Sequence, residues 1–127
     1  MPPLKSCVLL IDDVRETRSA LATLLQQRGY ATLEADTGEM GLRLLREHVD
    51  SVAIIVLDLL MPATNGWWFR EQQLADPSIA DVPVIVFTSA GKPELVKYTL
   101  RIQDVLFKPV AVDDLLLAIE RHFREAR

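Results

Sequence analysis

Five side chains with useful chemistry stand at the ends of apolar runs: Asp12 and Asp13, Asp58, Thr88 and Lys108. Singly they are ordinary. An Asp or Thr closing a strand often caps the next helix, and a Lys there is usually solvated. Together they would suit a phosphoryl group. Carboxylates packed together repel unless a cation sits among them, and hard oxygen ligands with room for water favour Mg²⁺. A Lys approaching from the other side helps to neutralise equatorial phosphoryl charge. A Thr hydroxyl can donate to one oxygen. One carboxylate, Asp58, can act as the nucleophile and become an aspartyl phosphate.

Whether these groups meet depends on the elements that carry them. Ile54-Ile55-Val56-Leu57-Asp58-Leu59-Leu60-Met61-Pro62 is short, apolar and closed by Pro. That reads as a strand buried on both faces, Ala53 to Asp58, ending where the apolar run opens to solvent. Similar runs predict strands at Cys7–Ile11, Val84–Thr88 and Asp104–Phe107, with a more polar edge strand at Ala31–Ala35.

Helical periodicity fills the intervals. One helix runs from Val14 to about Arg28, with Val14, Ala20, Leu21, Leu24 and Leu25 inward, Arg18 outside the stripe, and Gly29 as its stop. A second, capped by Thr37, runs from Glu39 to Glu47 with Met40, Leu44 and Leu45 inward. A third runs from about Trp67 to Ala75. One of Trp67 and Trp68 should be exposed, because adjacent helical positions point about 100° apart. A short fourth helix spans Glu94 to about Leu100, and the last runs from about Val112 to Arg124. Strand and helix alternate five times, which implies a parallel sheet covered by helices on both faces. In a sheet of order 2-1-3-4-5 the first and third strands are neighbours at the switch point, and Asp12, Asp13 and Asp58 converge there.

The bulk numbers exclude several classes. A chain of 127 residues suits one domain with a single core. A net charge of −4 without a Lys/Arg cluster argues against direct nucleic-acid binding. The one cysteine, Cys7, lies in an apolar run, so it reads as a buried hydrophobe in a reducing, cytoplasmic setting. No stretch approaches the roughly 20 apolar residues that span a bilayer, so no membrane role is expected.

Four stretches also carry a family resemblance: Val8-Leu9-Leu10-Ile11-Asp12-Asp13, Ile55 to Pro62 with Gly66 following, Val84-Ile85-Val86-Phe87-Thr88-Ser89-Ala90, and Phe107-Lys108-Pro109. In this order they resemble a response-regulator receiver domain of two-component signalling, over essentially the whole chain. The resemblance implies a flavodoxin-like α/β three-layer sandwich, with a five-stranded parallel sheet of order 2-1-3-4-5 and five helices. It implies that residues 1–127 are a single receiver domain with no output domain. Asp58 would be the phosphoacceptor, taking its phosphoryl group from the phosphohistidine of a histidine kinase or phosphotransfer protein. Mg²⁺ would be held by Asp13, Asp58 and the Leu60 backbone carbonyl, with Asp12 acting largely through water. Lys108 would be the phosphoryl counter-ion, aimed inward by a cis Lys108–Pro109 bond. Thr88 would be the switch hydroxyl, and a downstream protein partner would read the outcome. Such a chain signals and is not an enzyme.

The sequence departs from the family pattern in places. Val105 stands where many receivers carry a Tyr or Phe that turns inward on activation. Thr88 and Lys108 are separated by fewer residues than usual, and Arg101-Ile102-Gln103 stands where the family commonly has a Gly-Ala pair; a shortened fourth helix is expected, so a homodimer of the standard kind is not assumed. Leu60 and Ala90 cannot orient a water molecule, which predicts slow self-dephosphorylation. The main alternative is a receiver-like protein-binding module that works without phosphorylation. An Asp-nucleophile phosphatase would need a general acid where Leu60 stands. A dinucleotide-binding domain would need a Gly-rich turn where Asp12-Asp13 stands.

Overall fold

Every residue of Cys7–Ile11 and of Val52–Leu57 is buried, as expected of strands covered on both faces. The computed structural model describes residues 6–58, 66–88, 104–107 and 112–126. In chain order the elements are β1 (Cys7–Ile11), α1 (Arg15–Gln27), β2 (Ala31–Ala35), α2 (Gly38–Glu47), β3 (Val52–Leu57), α3 (Gly66–Ala75), β4 (Val84–Thr88), β5 (Asp104–Phe107) and α4 (Val112–Ala126). All strand pairs are parallel, in the order β2-β1-β3-β4-β5. This is a flavodoxin-like α/β sheet whose strand order reverses between β1 and β3. The helix expected at Glu94–Leu100 lies outside the described residues, which hold four helices.

Alternation along the strands divides the core into two layers. Leu9, Ile11, Ile55, Leu57, Val84 and Val86 face α2 and α3, where Leu42, Leu45 and Phe69 meet them. Val8, Leu10, Ile54, Val56 and Ile85 face α1 and α4, where Leu21, Leu25, Leu115, Ile119 and Phe123 close the other side. One irregularity matters for the site. Cys7 pairs with Val52, but Val8 pairs with Ile54, so β3 carries one extra residue, Ala53. A bulge of this kind shifts register for everything downstream.

Local signals explain the helix ends. The Thr37 hydroxyl accepts a hydrogen bond from the Met40 N–H at 3.0 Å, capping α2. Gly29, at φ +93°, ends α1 in the left-handed region. Several expectations need correction. β3 ends at Leu57, so Asp58 stands just past it. Val14 and Ala20 are exposed; the buried face of α1 is Leu21, Ala22 and Leu25, with Leu24 only half-buried. Met40 is 38% exposed, and the buried face of α2 is Gly38, Gly41, Leu42 and Leu45. The cause is a close approach: α2 packs against β1 through Gly41, and this turns Met40 outward. Neither Trp is fully exposed; Trp67 and Trp68 are both half-buried against the α2/α3 layer. Cys7 is buried as expected, and burial pushes its thiol above the ordinary range.

A charged network that sequence periodicity did not reveal lies under α3. Arg70 is 3% exposed and Gln73 fully buried. Arg70 Nη1 donates to Gln73 Oε1 at 2.6 Å, and Gln73 Nε2 donates to the carbonyls of Ile79 and Val82, both at 3.0 Å. Burial lowers the Arg70 guanidinium to about 10. Among the described residues no helix is long and apolar enough to cross a membrane.

Candidate functional site

The β1–β3 register sets the site. Ile11 pairs with Leu57, so the next residues, Asp12 and Asp58, come level at the carboxyl end of the sheet. The Asp58 N–H donates to the Ile11 carbonyl at 2.9 Å, carrying the ladder to that point. Had the Cys7–Val52 register continued unshifted, with Ala53 paired to Val8, Asp12 would stand opposite Leu57. The bulge therefore brings the two acids together.

Asp12, Asp13 and Asp58 each offer a carboxylate oxygen, and these oxygens lie within 4.8 Å of one another. Asp12 and Asp58 are 6% and 4% exposed, while Asp13 is exposed. Asp58 is therefore more enclosed than a carboxylate opening freely to solvent. One oxygen of Asp12 also serves the fold: Oδ1 accepts from the Val14 N–H at 2.9 Å, an Asx-type turn leading into α1. Asp12 thus serves the turn while its carboxylate lies in the acidic cluster. Three carboxylates at this spacing offer an all-oxygen donor set with a formal charge of −3, which fits a hard divalent cation such as Mg²⁺.

Thr88 is the last residue of β4 and pairs with Phe107 of β5; its side chain lies outside the described residues. Lys108, Leu60 with its carbonyl, Ala90 and the Lys108–Pro109 bond also lie outside them, as does the side chain of Val105. The expected site is therefore brought together in its three acids.

One neighbour of the acids was missed. Arg18 was placed outside the apolar stripe of α1, yet its side chain is only 12% exposed. Nη1 donates to the Asp12 carbonyl at 2.6 Å, and Nε pairs with Glu34 of β2 at 3.0 Å. Arg18, Thr17, Asp12, Asp58 and Phe87 line one small recess. The available signal was positional: Arg18 is one turn beyond Val14, on the side of α1 that faces its own leading acids.

The geometry agrees with comparisons to known proteins. The profile of the response regulator receiver domain matches residues 8–120. Protein PilH of Pseudomonas aeruginosa is 29% identical over 114 residues, covering 88% of this chain and 93% of that protein. The transcriptional regulatory protein CpxR of Escherichia coli K12 is 32% identical over 121 residues, covering 94% of this chain but 50% of CpxR. The crystal structure of the Vibrio cholerae chemotaxis protein CheY4 at pH 4.0 superposes with a TM-score of 0.82, covering 92% of this chain and 98% of that one. At 24% identity that likeness concerns the fold.

Proposed function

The chain belongs to the response regulator receiver domain family, and from that premise we propose that it is a phosphorylatable receiver whose acceptor is Asp58. The observation that carries this reading is the convergence of Asp12, Asp13 and Asp58 at the switch point of the sheet. An oxygen of the Asp58 carboxylate bonds to phosphorus as the phosphorus–nitrogen bond of a phosphohistidine breaks. The electron pair goes to the imidazole nitrogen, which takes up a proton. By their match to the family's motifs, Asp13, Asp58 and the Leu60 carbonyl would hold Mg²⁺, with Asp12 acting largely through water, and the bound ion would neutralise charge on the phosphoryl oxygens. Lys108 is assigned the remaining phosphoryl charge and Thr88 the switch hydroxyl, both by their match to the family's motifs.

The donor is a histidine kinase or phosphotransfer protein, and the acceptor signals rather than turning over small substrates. Phosphorylation adds about −1.5 to −2 charge at Asp58. That charge is to be felt by Thr88 and Lys108 and read by a protein partner at the surface. The test is intact mass after incubation with acetyl phosphate, with and without Mg²⁺, on wild type and Asp58→Asn. One phosphoryl group should be gained only with Mg²⁺ and only in the wild type. No gain by a folded wild type would favour a binding module that works without phosphate.

A further inference from the structure

Asp13 is exposed, and among the described residues no hydrogen bond to its side chain is present. Yet its carboxylate has a defined place beside two buried ones. That place must be set by its neighbours along the chain. Asp12 is held at three points. Its N–H donates to the Ala35 carbonyl at 3.1 Å, its Oδ1 accepts from the Val14 N–H at 2.9 Å, and its carbonyl accepts from Arg18 Nη1 at 2.6 Å. The third hold bears most directly on Asp13, because the Asp12 carbonyl and the Asp13 N–H share one rigid peptide plane. Fixing that carbonyl fixes the direction in which Asp13 leaves.

Arg18 is itself fixed. Its Nε pairs with Glu34 on the edge strand at 3.0 Å, and the Arg18 N–H donates to the Val14 carbonyl at 3.0 Å in the first turn of α1. A planar guanidinium can serve Glu34 and the Asp12 carbonyl at once, because its donors point in fixed, diverging directions. A Lys, with a single nitrogen, cannot reproduce that fork.

We propose that Arg18 is a positioning residue for the cation site: anchored by Glu34, it grips the Asp12 carbonyl and holds the Asp12–Asp13 peptide so that Asp13 meets Asp12 and Asp58. The inference rests on the reading that the three acids bind Mg²⁺. It makes a prediction opposite in sign to simple electrostatics. Arg18 is a positive charge beside the site, so removing it should tighten cation binding if only charge mattered. If Arg18 positions the acids, removing it weakens binding. Replacing Arg18 and Glu34 together leaves the net charge unchanged and isolates the positioning effect.

The experiment titrates Mg²⁺ alone by calorimetry into wild type, Asp13→Asn, Arg18→Met and Arg18→Met/Glu34→Gln, with thermal melts to verify folding. Both Arg18 variants should bind Mg²⁺ about tenfold more weakly, the scale typical of groups that orient metal ligands. Equal or tighter binding in a folded Arg18 variant, while wild type binds and Asp13→Asn loses affinity, would overturn the proposal and leave the cation site standing. No Mg²⁺ binding by wild type, or no effect of Asp13→Asn, would overturn the cation site and the brace with it. If Arg18→Met does not fold, Arg18→Lys takes its place. It preserves charge, so weaker binding supports the brace and unchanged binding overturns it.

Discussion

The packing of α2 against β1 offers the sharpest test of how the acid-bearing strand is held. A Cβ at Gly41 would lie 2.5 Å from Ile11 Cδ1, 3.1 Å from Ile11 Cγ1 and 3.2 Å from Phe69 Cε2. Ile11 and Phe69 are 1% and 0% exposed, so neither has open space to move into. Forcing an extra methyl into a packed core costs about 1–3 kcal/mol, and Ala in place of Gly returns about 1 kcal/mol of helix propensity. Because the 2.5 Å contact forces packed atoms to shift, the upper part of that range, about 2–3 kcal/mol, applies, and after the propensity gain Gly41→Ala should destabilise the protein by about 1–2 kcal/mol. Ile11→Val deletes Cδ1, the atom in closest contact, and by itself should cost about 1 kcal/mol. In the double variant the deleted atom relieves the clash, so the combined loss should fall short of the sum by about 1 kcal/mol. Urea denaturation of the four proteins with a common m-value reads these differences. A Gly41→Ala protein as stable as wild type, or strict additivity in the cycle, would refute the steric argument.

Two further outcomes follow from the same physical reasoning. Gln73→Leu removes two donors to buried carbonyls and an acceptor from the buried Arg70, and should cost about 3 kcal/mol in denaturant unfolding; a loss below about 1 kcal/mol would mean that those groups find other partners. The hydroxyl and N–H of Ser78, together with Arg46, hold the Asp76 carboxyl below its ordinary value near 3.8. A depressed folded value means that this contribution is complete above the ordinary value and is lost as pH falls through the lower one. An NMR titration should show the Asp76 midpoint moving up in Ser78→Ala, and an unmoved midpoint would contradict the assignment to Ser78.

Much of the scaffold was legible because its signals are local. A both-faces-buried strand announces itself as an unbroken apolar run, as at Cys7–Ile11 and Val52–Leu57. Thr37 and Gly29 mark helix ends by chemistry confined to one turn. The errors arose where a second element intervened. Met40 fits an inward position by spacing, but the contact of Gly41 with Ile11 turns that side of α2 away from the core. Arg70 sits at a core position that its charge disguises, where it donates to Gln73, itself anchored on two buried carbonyls. Arg18 was misread for the same reason: charge suggested solvent, whereas Glu34 and the Asp12 carbonyl enclose it.

The acids themselves were identifiable from sequence, since Asp12, Asp13 and Asp58 each close an apolar run. By itself the sequence determined which elements form and which chemical groups stand at their ends, because propensity, capping and periodicity act within a few residues. It did not determine that Asp12 and Asp58 stand level. That depends on the extra residue at Ala53, which shifts β3 by one position against β1. Register belongs to two strands jointly, fixed by which side chains fill each face of the sheet, and only the assembled tertiary structure could decide it.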